Sequence, residues 1–167
     1  MSTWLDLVNE LKRRNVDELL TPTQREISDR ICSLLDFPQR LNLWGPTGCG
    51  KTFVAWAIAR NTGAMYVPSP ERLSDKTAFA EIIIVDNAPT SEGAVRTILA
   101  TCNLLEARSV ILVTKWPIDM PMRRMQMGLP SEDELAIASK NISRLGFYPQ
   151  PGAQSASDFW TLLRNHI

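Results

Sequence analysis

GPTGCGKT, residues 45–52, decides how the rest of the chain is read. It satisfies the phosphate-loop pattern G-x-x-x-x-G-K-[ST] in full. Its glycines let the backbone turn tightly enough for several N–H groups to converge on one point. A helix that follows such a loop aims its positive dipole end at the same point, so the backbone alone makes an anion cradle. The sequence therefore predicts a phosphate cradle made by Gly45, Pro46, Thr47, Gly48, Cys49, Gly50, Lys51 and Thr52, with Phe53 in the helix behind it. Lys51 is expected to reach the β- and γ-phosphates, and the Thr52 hydroxyl to ligate Mg²⁺. A glycine-rich turn between strand and helix can also be purely structural. Here strand, loop, Lys-Thr pair and helix all follow in the required order.

Working outward, RLNLW at 40–44 leads into the loop as a strand, and the alanine-rich stretch 53–61 leaves it as a helix. AMYV at 64–67 reads as a second strand closed by Pro68 and Pro70. EIIIVD at 81–86 is a continuous apolar run ending in Asp, the pattern of a parallel strand covered on both faces. Ser91 is placed to cap a helix with Val95, Ile98, Leu99, Cys102 and Leu105 on one face. SVILVT at 109–114 is a further buried strand, and RMQM at 124–127 a fifth. Alternating strands and helices predict a three-layer α/β fold around a mostly parallel sheet of about five strands.

Two helices are expected before the loop. Trp4, Leu7, Val8 and Leu11 recur at helical spacing ahead of Lys12, Arg13 and Arg14. Thr21 and Pro22 open the second helix, with a capping box from Thr23 to Glu26 and an apolar face of Ile27, Ile31, Leu34 and Leu35. Both are expected to pack over one edge of the sheet. At the other end, Ser131 and Glu134 form a capping box, Leu135, Ala138, Ile142 and Leu145 a stripe, and Gly146 a stop. A loop rich in Pro, Gly, Ser and Gln then leads to a last helix at about 158–165. The expected organisation is one domain over 1–167: N-terminal helices at 1–38, a nucleotide-binding core at 39–128 and a reduced helical lid at 129–167.

Composition narrows the class. Of 167 residues, 44% are apolar and 22% charged, with a formal net charge of zero, so disorder and a general attraction to polyanions are both disfavoured. No apolar run approaches membrane-spanning length, and Asp6 and Glu10 interrupt any secretory pattern at the start. Cys32, Cys49 and Cys102 are odd in number and lack metal-ligand spacing, so they read as free thiols in a reducing cytoplasm.

Asp86 is the second anchor. A carboxylate ending a buried strand holds Mg²⁺ opposite the loop threonine in phosphate-loop enzymes. Asn87 follows, where many such ATPases place the Glu that deprotonates the attacking water. Asn can hydrogen-bond water but cannot take its proton, and a missing general base costs about 10²–10⁴-fold. Glu81 and Glu92 are the nearby carboxylates that could in principle substitute, although no pattern places either at the γ-phosphate. Thr114, ending the next strand beside Lys115, is a candidate sensor of the γ-phosphate. Arg123 and Arg124 are candidates for a cation supplied in trans, and Arg144 and Arg164 for one supplied in cis. Met120, Met122, Met125 and Met127 read as core or interface filling. His166 is expected at a frayed end, without a catalytic part. Cys49 raises oxidation as a means of blocking the loop, against the simpler reading of a small loop-filling residue.

Loop, buried Asp strand and polar strand end together resemble the AAA+ class of P-loop ATPases. RMQMGLPSEDEL at 124–135 is similar to that class's fifth strand and the start of its helical lid. The resemblance implies strand order 5-1-4-3-2, ATP and Mg²⁺ as cofactors, and assembly with itself or a protein partner with nucleotide at the interface. Nucleic acid is a further candidate partner, and no membrane is implied. The intervals from Lys51 to Asp86 and from Asp86 to Thr114 are short for the class, and no sensor-2 motif is evident. The compact first interval, with GPTGCGK and RSVILVT, is similar to superfamily 3 helicase domains, which carry a DNA-gripping hairpin between the Asp strand and the next. The Asp-Asn pair is similar to that of some replication-initiation regulators. The resulting expectation is an ATP-binding, slowly hydrolysing, nucleotide-controlled assembly or regulatory subunit in replication, transposition or defence. An active helicase or translocase motor and a non-hydrolysing scaffold are the alternatives.

Overall fold

Every residue of Ile82–Val85 and of Ser109–Thr114 is buried, so neither strand can lie on a surface; each needs neighbours beside it and helices above and below. The computed structural model describes residues 3–14 and 16–167; Met1, Ser2 and Asn15 lie outside the described residues. Its strands are β1 (Arg40–Trp44), β2 (Met65–Val67), β3 (Ile82–Val85), β4 (Ser109–Thr114) and β5 (Arg123–Gln126). They form one sheet in the order β2-β3-β4-β1-β5, and all four pairings are parallel. This is the order 5-1-4-3-2 read from the other edge.

The helices are α1 (Trp4–Arg13), α2 (Val16–Leu19), α3 (Pro22–Leu34), α4 (Lys51–Thr62), α5 (Pro70–Leu73), α6 (Glu92–Leu104), α7 (Glu132–Arg144) and α8 (Phe159–Arg164). Side chains alternate across each strand, and this divides the core. Ile82 and Ile84 pack with Ile31 of α3 and Val54 and Ile58 of α4. Ile83 and Val85 pack on the opposite face with Val95, Ile98 and Cys102 of α6. Between β3 and β4 the chain forms α6, and the described residues there include no strand pair.

Three expectations are corrected. The capping box of α3 lies at Thr21 and Gln24, where Gln24 Oε1 accepts the Thr21 N–H at 3.0 Å, rather than at Thr23 and Glu26. Short helix α2 is additional, too brief to show a hydrophobic period, while α5 falls in the stretch after Pro68 where the sequence predicts an irregular or helical connection. Only α3 of the N-terminal helices joins the sheet; Leu7 and Leu11 of α1 instead pack with Leu135, Ala138 and Ile142 of α7 and Leu162 of α8. The amphipathic stripe of α1 is legible in the sequence, but its partners are α7 and α8.

The start of α7 follows its local sequence. Ser131 Oγ accepts the Glu134 N–H at 3.2 Å, and Gly146, at φ +92°, ends the helix in a left-handed turn suited to glycine. His166 is buried rather than frayed: its ring bonds Ser139 Oγ at 3.1 Å and the Leu162 carbonyl at 2.8 Å. Among the described residues, no helix is long and apolar enough to cross a membrane.

Candidate functional site

The phosphate loop joins the C-terminal end of β1 to α4, so its N–H groups lie at the C-terminal edge of the sheet. That edge is where ligands bind in open parallel sheets. Gly48 and Gly50 have φ of +86° and +91°, backbone that L side chains rarely adopt. Gly45 has no room for a Cβ because the Met127 carbonyl passes against it at the end of β5. Lys51 Nζ turns back onto the loop, donating to the carbonyls of Gly45 at 2.7 Å and Pro46 at 2.9 Å. These bonds hold the ammonium at the cradle, where phosphate oxygens would be competing acceptors.

Cys49 sits under the loop with 1% of its surface exposed. Burial pushes its thiol above the ordinary value, outweighing the opposing pull of Lys51. A protonated, enclosed thiol is a poor target for oxidants, so the structure favours the loop-filling reading.

Asp86 ends β3 with 2% exposure and three hydrogen bonds. Its Oδ2 accepts from Thr52 Oγ1 at 2.7 Å and Tyr66 Oη at 2.8 Å, and its Oδ1 accepts the Asn87 N–H at 2.8 Å. The predicted pair of metal-binding oxygens, Thr52 and Asp86, is thus in direct contact. Hard oxygen donors, one carboxylate and a hydroxyl, suit Mg²⁺, which takes its remaining ligands from water and phosphate. No group of three or more His, Cys, Asp or Glu placed to hold a metal by themselves occurs among the described residues.

Tyr66 was missed from sequence. Its strand was recognisable, but the face a β2 residue presents to Asp86 follows from register, in which Tyr66 lies beside Ile84. Burial, then the Asp86 charge, push its phenol far above the ordinary value, so it remains a proton donor.

Asn87 adopts φ +50°, a conformation Asn tolerates better than most residues. Its Nδ2 donates to the Pro68 carbonyl at 3.0 Å, which fixes the side chain. Thr114 lies across the loop, but its hydroxyl proton goes to the Trp116 carbonyl at 2.6 Å. The same oxygen accepts from Asn42 Nδ2 at 2.8 Å, and Asn42 Oδ1 accepts the Ile118 N–H at 2.9 Å. A donor role for Thr114 toward phosphate requires the hydroxyl to leave Trp116. Asn42, fully buried in β1, is a second residue that the sequence reading overlooked.

A cavity of about 720 Å³ unites these groups. Thr47, Gly48, Gly50, Lys51 and Thr52 line one end, and Asp86, Asn87, Thr114 and Lys115 face them. Its other end is apolar and aromatic, with Trp4 and Val8 from α1, Phe53 and Trp56 from α4, Ile142 from α7 and Trp160 from α8. The volume is in the range of small-molecule sites. Pro46 and Cys49 belong to the loop without lining the cavity.

Several predicted residues lie elsewhere. Arg123 and Arg124 are on exposed positions of the edge strand β5, and Arg124 pairs with Asp119 at 3.2 Å. Arg144 reaches Asn141 at 3.5 Å, and Arg164 lies 5.7 Å from the Trp160 ring; both touch residues of the cavity wall without lining the cavity themselves. Glu81 pairs with Arg108 and Glu92 with Arg96, both away from the loop.

No family model matches the chain. It is 33% identical over 72 residues to the outer mitochondrial transmembrane helix translocase of Xenopus tropicalis, a stretch covering 42% of this chain and 19% of that protein. The Danio rerio protein of the same name is 34% identical over 77 residues, 44% of this chain and 21% of the relative. The chain spans about a fifth of the length of these curated relatives. Among solved structures, a DNA replication initiation factor matches with TM-score 0.50 and 15% identity, covering 72% of this chain and 50% of that one. Replication initiator DnaA bound to AMPPCP and single-stranded DNA matches with TM-score 0.50 and 14% identity, covering 74% and 51%. At such identities the likeness is one of fold, and it is the fold expected from the AAA+ resemblance.

Proposed function

We propose that the chain binds ATP with Mg²⁺ as an AAA+-like protein, hydrolyses it slowly, and uses nucleotide state to control assembly with itself or a partner. The observation that carries this reading is the contact between Thr52 and Asp86 at 2.7 Å below a complete phosphate loop, with Asn87 tied to Pro68 rather than to a water-activating position. Thr52 and Asp86 would hold the metal, which supplies charge neutralisation at the β- and γ-phosphates. Lys51 would exchange its carbonyl partners for phosphate oxygens. The aromatic end of the cavity offers apolar surface for a nucleobase, and ATP is preferred to GTP because no Asn-Lys-x-Asp stretch occurs.

Among the described residues Asp86 is the one carboxylate on the cavity wall, and three hydrogen bonds hold it, so water activation lacks a base and slow turnover follows. Arg123, exposed on the edge strand, is available to a neighbouring copy as a trans cation. A nucleic-acid process is the favoured context, by analogy with the fold of a replication initiator whose structure holds AMPPCP and single-stranded DNA.

Equilibrium ATP binding to the full chain, with Lys51→Ala as control, tests the site. Mass measured with and without ATP–Mg²⁺, with single-stranded DNA added in a parallel series, tests the switch. Binding that is lost in the variant and a nucleotide-dependent mass or partner shift are expected. An unchanged mass at saturation would reject the assembly role, and DNA-stimulated turnover near 1 s⁻¹ would identify a motor instead.

A further inference from the structure

We infer that Asp158 is a charge determinant of this site: seated on the phosphate loop, its carboxylate opposes ligands in proportion to their negative charge. The inference rests on the reading of the loop as a nucleotide-phosphate site and adds how that site is restrained.

The C-terminal helix begins directly on the loop. The Phe159 N–H donates to the Gly48 carbonyl at 2.9 Å, a main-chain bond between segments far apart in sequence. A Cβ at Gly48 would fall 2.8 Å from both Asp158 Cβ and Oδ1, so the absence of a side chain at residue 48 is what lets the carboxylate approach. A Cβ at Gly50 would meet the Phe159 ring at 3.0 Å. Two loop glycines therefore carry the start of α8, in addition to their left-handed backbone.

Asp158 is held there. Its Oδ1 accepts the Thr161 N–H at 2.8 Å and its Oδ2 accepts the Thr161 hydroxyl at 3.1 Å, so moving it uncaps α8. No Lys, Arg or His nitrogen lies within 4.0 Å of this carboxylate among the described residues. The loop's own cation does not pair with it: Lys51 Nζ is directed to the Gly45 and Pro46 carbonyls. A fixed negative charge thus packs against Gly48, beside the cavity rather than on its wall, in a loop otherwise arranged to attract anions. Coulomb repulsion from one charge scales with ligand charge, so ATP is penalised more than ADP, and adenosine not at all.

The test is calorimetric titration of the full chain in EDTA at low salt, with ATP, ADP and adenosine as probes. Asp158→Asn removes the charge and keeps an equally good helix cap, and Asp158→Ser repeats the test with a second neutral cap. Both variants are expected to tighten ATP about fivefold and ADP less, to leave adenosine unchanged, and to lose this gain in 1 M salt. Equal changes for all three ligands, no change, or weaker ATP binding would overturn the inference and leave Asp158 a structural cap. If the wild type binds ATP in a Lys51-dependent way and the variants match it, only the charge role fails. If neither wild type nor variants bind ATP or ADP, the nucleotide reading fails and the inference with it.

Discussion

Tyr66 donates its phenolic proton to Asp86 Oδ2 across 2.8 Å, on the same oxygen that accepts the Thr52 hydroxyl. The Tyr66 ring is braced by Trp56 of the phosphate-loop helix, with centroids 6.3 Å apart. The orientation of the Asp86 carboxylate, the proposed metal ligand, is therefore set partly from β2. Groups that orient a metal ligand typically contribute about 10–100-fold in metal affinity. Tyr66→Phe is expected to reduce the Mg²⁺-dependent gain in ATP affinity about tenfold while leaving ATP affinity in EDTA unchanged. Equal losses with and without Mg²⁺ would show a packing role alone.

Asn87 invites replacement by the glutamate found in faster ATPases. Its backbone at φ +50° and its bond to the Pro68 carbonyl argue against a gain. Asn87→Glu loses that bond and places a residue less tolerant of left-handed backbone, a cost of about 1–2 kcal/mol. We expect lower stability by denaturant titration and single-turnover hydrolysis that stays well below motor rates. A hundredfold acceleration would show that the missing carboxylate is the sole defect.

Asn42 uses both ends of its amide inside the sheet, giving protons to Thr114 Oγ1 and the Leu112 carbonyl and accepting the Ile118 N–H. Asn42→Leu would strand buried polar partners, each worth about 1–3 kcal/mol. A loss of roughly 2–4 kcal/mol is expected from the denaturation midpoint at unchanged slope. An unaltered midpoint would show that the network carries no net stability.

Glu134 joins α7 to the start of α3. Its Oε1 accepts from Thr21 Oγ1 at 2.9 Å and from the Thr23 N–H at 3.1 Å. Burial raises its carboxyl, but the hydrogen bonds from Thr23, Thr21 and Ser131 prevail and hold it below the ordinary 4.5. A lowered folded value stabilises the protein above the unfolded value, and that share is lost as pH falls through the folded one. Wild type should therefore exceed Glu134→Gln in melting temperature at pH 7, with the gap closing below pH 4.5. A gap independent of pH would point to shape rather than charge.

Burial shifts both thiols upward, but Cys49 is enclosed whereas Cys32 is only half-buried and open to reagents. A thiol reagent at neutral pH should label Cys32 well before Cys49, and ATP binding should survive the first equivalent, as followed by peptide mass mapping. Early labelling of Cys49 with loss of binding would restore the oxidation idea.

The parts of this protein that sequence alone determined are those encoded within a few residues of one another. The loop pattern, the all-buried strand at Ser109–Thr114 and the Ser131–Glu134 cap each state a local backbone preference or the apolarity of one face. Such patterns report that a face must be covered, but not by what. The stripe of α1 was therefore visible while its seat on α7 and α8 was not. The pattern likewise could not place Tyr66 on Asp86, Asn42 under Thr114, or Asp158 on Gly48. Those contacts depend on strand register and on the packing of segments distant in sequence. The cradle belongs to the sequence; the groups that orient and oppose what it holds were decided by the tertiary structure, because only close packing brings them within hydrogen-bond or van der Waals reach.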